Sequence, residues 1–225
     1  MRQLSITILL ISLFLLFSAN SAECAIKGKL EYSIPVDYSK LSEPELNAKA
    51  RKYYINALNS DEKKLTEDMS NALVLYSILE KVNPDSVEYA VKLGVLNDRI
   101  GRDRYAKGYF SKALGIDKEN PVIYYNFGEF YYRRESYRNA LRHYNQAYKH
   151  GFDTNYNTLY KMGDIYEKFG DSRSALKYFK EAQKQSPNPD LDSRIMRIEA
   201  YDPANKEFYE DTRIRKPFYL NDWGE

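Results

Sequence analysis

From Val87 to Pro187 apolar residues recur three and four positions apart in short blocks, and the blocks are separated by Gly, Asp, Asn, Ser and Pro. Two such blocks joined by a few polar residues predict a pair of amphipathic helices with a tight turn between them. The pairs repeat in register. Leu93-Gly94 aligns with Phe127-Gly128 and with Met162-Gly163, and Ala106, Phe110 and Ala113 align with Ala140, Tyr144 and Ala147 and then with Ala175, Phe179 and Ala182. The first interval is 34 residues and the second 35, and the additional residue falls in the polar stretch His150 to Asn155. An insertion there is tolerated, because lengthening a loop adds little closure entropy.

The residue types follow from what each position must do. Gly94, Gly128 and Gly163 fall in the middle of a predicted helix, where glycine costs about 1 kcal/mol relative to alanine. Close approach of the paired helix is the expected reason, with Ala106, Ala140 and Ala175 facing the glycines and Phe110, Tyr144 and Phe179 filling the groove beneath. Gly101-Arg102-Asp103 and Gly170-Asp171-Ser172 place a helix-ending glycine beside a cap for the next helix. Pro121 and Pro187 stand at the handover from one unit to the next. Asn97 departs from the pattern, since the equivalent positions hold Tyr131 and Tyr166.

A more divergent unit precedes these, because Ala72, Tyr76 and Leu79 lie 34 residues before Ala106, Phe110 and Ala113. Ser60 stands where glycine is expected, so its first helix, around Glu43 to Leu58, is offset by a longer loop. Asp190 to Ala200 predicts one closing helix with a polar outer face, as the end of a repeat array requires.

The Leu-Gly, Tyr, Ala, Phe, Ala pattern, in register three times, resembles the tetratricopeptide repeat family. The resemblance implies an all-α fold of helix-turn-helix repeats stacked in a right-handed superhelical solenoid. With it the chain is read as a signal peptide (1–22), an extended segment (23–43), a repeat array (44–200, with units at 44–86, 87–120, 121–155 and 156–189 and a closing helix at 190–200) and an aromatic tail (201–225). It also implies a concave groove, lined by the first helix of each unit, that holds a peptide or protein. The lining would be Val91, Val95, Asp98 and Arg99, then Tyr125, Glu129, Tyr132 and Arg133, then Tyr160, Asp164 and Lys168. Asn126 and Lys161 fall at two places of the family's carboxylate clamp for chaperone tails. Val91 and Val95 stand where that clamp needs lysine and asparagine, which argues against such a ligand.

The ends change the picture of where the protein works. Met1-Arg2-Gln3 followed by the apolar run Leu4 to Phe17 and the small residues Ser18 to Ala22 has the order of a secretory signal, with cleavage expected after Ala22 or Ser21. An uncleaved anchor is the alternative, as is lipidation of Cys24, the only cysteine, though Ser21-Ala22-Glu23 is a poor lipidation signal. These are the two routes by which a membrane attachment is expected. The expected location is extracytoplasmic, periplasmic or secreted. The tail, with Phe208, Tyr209, Phe218, Tyr219 and Trp223, either packs on the last helices or docks into a partner or the chain's own groove.

A net charge of +2 gives no reason to expect nucleic acid as partner. His143 and His150 are the only histidines, and no metal, phosphate-loop or nucleophile motif accompanies them. The expectation is therefore a non-catalytic binding scaffold with no cofactor or metal, serving assembly of an envelope or secretion complex. The alternative is a self-capped structural or oligomerisation module whose groove is filled by its own tail.

Overall fold

The computed structural model describes residues 38–59 and 66–200. The signal, Cys24, Ser60 and the aromatic tail lie outside the described residues. After a 3-10 turn at Tyr38–Lys40, nine helices follow among the described residues: α1 (Glu43–Asn59), α2 (Glu67–Val82), α3 (Val87–Arg99), α4 (Asp103–Ile116), α5 (Pro121–Tyr132), α6 (Tyr137–Ala147), α7 (Tyr156–Lys168), α8 (Ser172–Gln185) and α9 (Pro189–Ala200). The helix-turn-helix fold expected from the repeats is the fold observed. No described helix is long and apolar enough to cross a membrane. Pro44 sits in the first turn of α1, where a missing N–H goes unnoticed.

The chain divides into two compact units, Met1–Ile116 and Asp117–Glu225. In the first, α1 pairs with α2 and α3 with α4. Ala50, Ala57 and Ala72 let the first pair approach, and Leu75, Leu79, Leu93, Leu96 and Phe110 fill the interior. In the second, α5 pairs with α6 and α7 with α8, and α9 packs on α8. Leu159, Ala175, Phe179 and Ala182 meet Leu191, Ile195 and Ile198 from α9 in one apolar cluster.

The mid-helix glycines do permit close approach, but the partner is a ring. A Cβ on Gly94 would lie 2.7 Å from the Phe110 ring, on Gly128 2.7 Å from Tyr144, and on Gly163 2.6 Å from Phe179. The aromatic residue, more directly than the alanine before it, is what excludes a side chain there. Polar caps start the helices: Thr66, Ser86, Asn120, Asn155 and Asp171 each accept a backbone N–H from the first turn of the helix that follows.

The tight turns are alike in all three clear repeats. The N–H groups of Arg102, Ser136 and Asp171 donate to the carbonyls of Asn97, Tyr131 and Tyr166, at 2.8, 3.0 and 2.9 Å. The residue before each is left-handed, with φ of 75° at Gly101, 56° at Glu135 and 75° at Gly170. Glu135 thus occupies a backbone conformation that the other two repeats give to glycine.

Candidate partner-binding face

The first helices of the second unit, α5 and α7, carry seven of the residues expected to line a groove. Tyr125, Glu129, Tyr132 and Tyr160 are half-buried, Asp164 is buried, and Arg133 and Lys168 are exposed. They form one connected network. The Tyr144 hydroxyl, from α6, donates to Glu129, and the Tyr132 hydroxyl donates to Asp164 of the next repeat. Lys161 lies 3.7 Å from Glu129 and 3.8 Å from the centre of the Tyr132 ring, while Arg133 and Lys168 pair with Glu129 and Asp164, each at 3.6 Å. Tyr125 packs on Tyr144 and on Phe152, and Tyr160 on Phe179. Tyr125 and Tyr160 are therefore held by rings beneath them, and Tyr132 by the carboxylate beside it.

A residue that the groove pattern did not single out closes this network. Arg194, projecting from the closing helix α9, donates to Asp164 and Glu167 and, at 2.9 Å, to the Tyr160 hydroxyl. Its side chain also lies 4.6 Å from the centre of the Phe179 ring. Two carboxylates, with side chains 8% and 6% exposed, share this one guanidinium as a partner. The signal was present in the register: Arg194 is 34 residues beyond Tyr160, and Glu167 is 35 beyond Tyr132. Both stand at groove positions of their units.

Ionisation follows the same contacts. Burial disfavours the charged form of Asp164, but hydrogen bonds from Tyr132 and Arg194 and the charges of Arg194 and Lys168 outweigh it and hold the carboxyl below its ordinary value. Burial and the Asp164 hydrogen bond push the Tyr132 hydroxyl up, as burial and Glu129 do for Tyr125 and Tyr144. For Arg194, burial works against the charge, and its hydrogen bonds and charge pairing with Asp164 and Glu167 more than restore it.

The first unit departs from the expectation. Val91, Val95 and Asp98 are buried, and Arg99 alone of its four groove residues is exposed. An apolar residue at a groove position buries itself wherever cover is at hand, so the apolar end of the expected groove offers little open surface. Asn97 is buried as well, and its Nδ2 donates to the Leu93 carbonyl one turn back at 2.8 Å, which satisfies the amide where the other repeats place a ring. At the clamp positions, the Asn126 amide donates to Val122 of its own helix, and Lys161 is engaged by Tyr132 and Glu129.

His143 is buried against the neighbouring helix, its ring 4.3 Å from Phe127 and 5.3 Å from Tyr131. Burial and the charge of Arg142 lower its pKa to about 4, so it is neutral at physiological pH. His150 stacks on Tyr124 at 5.4 Å. No group of three His, Cys, Asp or Glu side chains that could hold a metal occurs among the described residues.

Residues 121–186 match the family model for tetratricopeptide repeats. No curated protein matches the chain. Among solved structures, one of MamA is 20% identical with a TM-score of 0.54, covering 64% of this chain and 84% of that one. PilF from Pseudomonas aeruginosa is 16% identical with a TM-score of 0.58, covering 73% of this chain and 75% of its own. A MamA variant from RS-1 is 14% identical with a TM-score of 0.55, covering 72% and 89%. At these identities the likeness is one of fold, to proteins that are themselves built of tetratricopeptide repeats. Residues 121–186 of this chain carry tetratricopeptide repeats, and the helix pairs of its all-α array share the fold of the tetratricopeptide structures it matches.

Proposed function

We propose that the chain is a non-catalytic scaffold that binds a protein or extended peptide on the α5–α7 face, outside the cytoplasm, during assembly of an envelope or secretion complex. Tetratricopeptide proteins bind protein or peptide partners. The observation that carries the reading for this chain is the face itself: half-buried Tyr132 held by Asp164, half-buried Tyr125 and Tyr160 packed on the buried rings of Tyr144 and Phe179, and the charged ends of Arg133 and Lys168 exposed beside them. Rigid tyrosine rings supply contact area with little conformational entropy left to lose, and arginine and tyrosine are favoured at interfaces. The extracytoplasmic location rests on the basic start and apolar run at the N-terminus.

One observation limits where a partner can sit on the face. Arg194 reaches from α9 onto Tyr160, Asp164 and Glu167, so that end is occupied by the chain's own side chain. A partner is therefore expected to engage Tyr125, Arg133 and Lys168 first.

A photo-crosslinker placed at position 168 in the full chain, expressed in its native cells, tests the proposal. A discrete crosslinked polypeptide in the envelope or secreted fraction, lost when Tyr125→Ala and Arg133→Ala are combined and absent from a crosslinker at position 104, is the expected result. No adduct at 168, or the same adduct from both positions, overturns the binding face. Recovery of the unprocessed chain in the cytoplasmic fraction overturns the location.

A further inference from the structure

The second helices of the second unit carry a charge pattern that the binding face does not use. On α6 and the turn after it, Arg138, Arg142 and Lys149 are exposed, and the stretch 137–152 contains no acidic residue. On α8, Arg173, Lys177, Lys180 and Lys184 are exposed, with Glu181 as the lone acid. Spacings of four, three and four residues run through positions 138, 142, 145 and 149 and again through 173, 177, 180 and 184, so each set is one helical stripe about 16 Å long. The buried stripes of the same helices, Ala140, Tyr144 and Ala147 and then Ala175, Phe179 and Ala182, lie on the opposite side. Just after α6, Tyr148 packs edge-on against Tyr178 of α8, beside Lys149 and Lys177 in the sequence.

These charges are largely uncompensated. Lys180 pairs with Glu199 at 2.5 Å and Lys177 lies over the Tyr178 ring, whereas Arg138, Arg142, Lys149, Arg173 and Lys184 have no ion-pair partner among the described residues. Like charges one turn apart destabilise a helix by a few tenths of a kcal/mol per pair, so folding alone gives no reason to collect them here. The equivalent positions of α4, Arg104, Gly108, Ser111 and Gly115, hold a single cation.

We propose that this outer face of α6 and α8 docks on an anionic lipid surface. Two parallel cationic stripes on rigid helices, directed away from the core, match an extended plane of negative charge, and each cation near such a plane adds to the attraction. The aromatic rings of α6 and α8 are buried or half-buried, which leaves no stacking platform for the bases of a single strand. Neither helix exposes a large apolar side chain, so attachment is electrostatic, without insertion. The apolar run Leu4 to Phe17, read as an export signal, would bring the chain to a membrane independently of this face. The inference stands apart from the α5–α7 binding reading, which uses the first helices.

The test is co-sedimentation of the full chain with neutral phosphatidylcholine vesicles and with vesicles of roughly one-third phosphatidylglycerol. Because the N-terminal apolar run binds either lipid, the readout is the increase in partition on adding the anionic lipid. An increase of about tenfold or more is expected, abolished by roughly 0.5 M salt. It should also be lost in the combined Arg142→Glu, Lys149→Glu, Lys177→Glu and Lys184→Glu variant and reduced in the matching Gln variant, with helical content unchanged by circular dichroism. A variant of equal charge change in the first unit, Lys49→Glu, Arg51→Glu, Lys52→Glu and Arg104→Glu, should keep most of the increase. Equal partition into both vesicles, equal loss in the two Glu variants, or tighter binding to a single-stranded oligonucleotide at the same salt would overturn the proposal.

Discussion

Each unit repeats the same interior pattern, and the two expose different surfaces. In α4, α6 and α8 the buried set Ala, aromatic, Ala is constant, and in each repeat the ring presses on a glycine of the preceding helix. On the first helices, however, Val91 and Val95 of the first unit are buried, whereas Tyr125, Glu129, Tyr160 and Asp164 of the second build a tyrosine and charge network. On the second helices, the stripe of Gly108, Ser111 and Gly115 gives way to rows of Lys and Arg. Positions that touch the partner helix admit almost no variation, because interiors are close-packed. Positions that face outward are free to differ, and there the second unit concentrates the chemistry available for recognition.

The largest effect that would break this contrast is expected from Arg194→Met. It takes the shared guanidinium from Asp164 and Glu167 but leaves Lys168 and Tyr132 on the first and Arg197 on the second, so the loss is expected at about 3 kcal/mol, the lower end of the cost of breaking a buried pair. Urea unfolding should show the loss, and hydrogen exchange should place it in α7 to α9 with α3 and α4 unaffected. The pH dependence gives a second signature. Asp164 has a folded pKa below its ordinary value, so its contribution is full above that ordinary value and disappears as pH falls through the folded one. Stability should therefore decline on acidification in the native chain and decline less in the Met variant. An unchanged pH slope would remove Asp164 from the explanation.

A smaller effect separates two glycines that look alike in sequence. Gly163→Ala puts a Cβ against the Phe179 ring and should lower stability by about 1–3 kcal/mol. Gly108→Ala meets nothing within 4 Å and should raise it by about 0.5–1 kcal/mol. Thermal unfolding midpoints moving in the same direction would contradict the packing account. The smallest effect concerns the turn: Glu135→Gly relieves a left-handed conformation that the neighbouring repeats assign to glycine, and a gain of about 1 kcal/mol is expected. A loss would mean that the Glu135 side chain supports the turn.

Much of the fold was legible because a repeat states its constraints several times. The Gly94, Gly128, Gly163 register, the caps at Asp171 and the missing ring at Asn97 all read correctly from spacing and residue type. Glu135 was harder: nothing in a glutamate announces a positive φ, and only alignment with Gly101 and Gly170 places it. The groove residues of the second unit were found as positions, but their pairing was not. Glu167 and Arg194 stand in the same register, but Glu167 adjoins Lys168 at another groove position and Arg194 lies in the closing helix, whose spacing by itself signals only a cap.

The order of residues along the chain therefore determines which side of each helix is buried, since a period of 3.6 residues turns spacing directly into a face. Whether an outward position is open, shielded or tied to another side chain depends on what folding brings alongside it. Tyr132 and Asp164 are 32 residues apart in sequence, Asp164 and Arg194 are 30, and both pairs form hydrogen bonds in the folded chain. Electrostatic and hydrogen-bond contacts act through space over a few ångströms, so their pairing is settled by the packing of α5, α7 and α9 and by no local feature of the sequence.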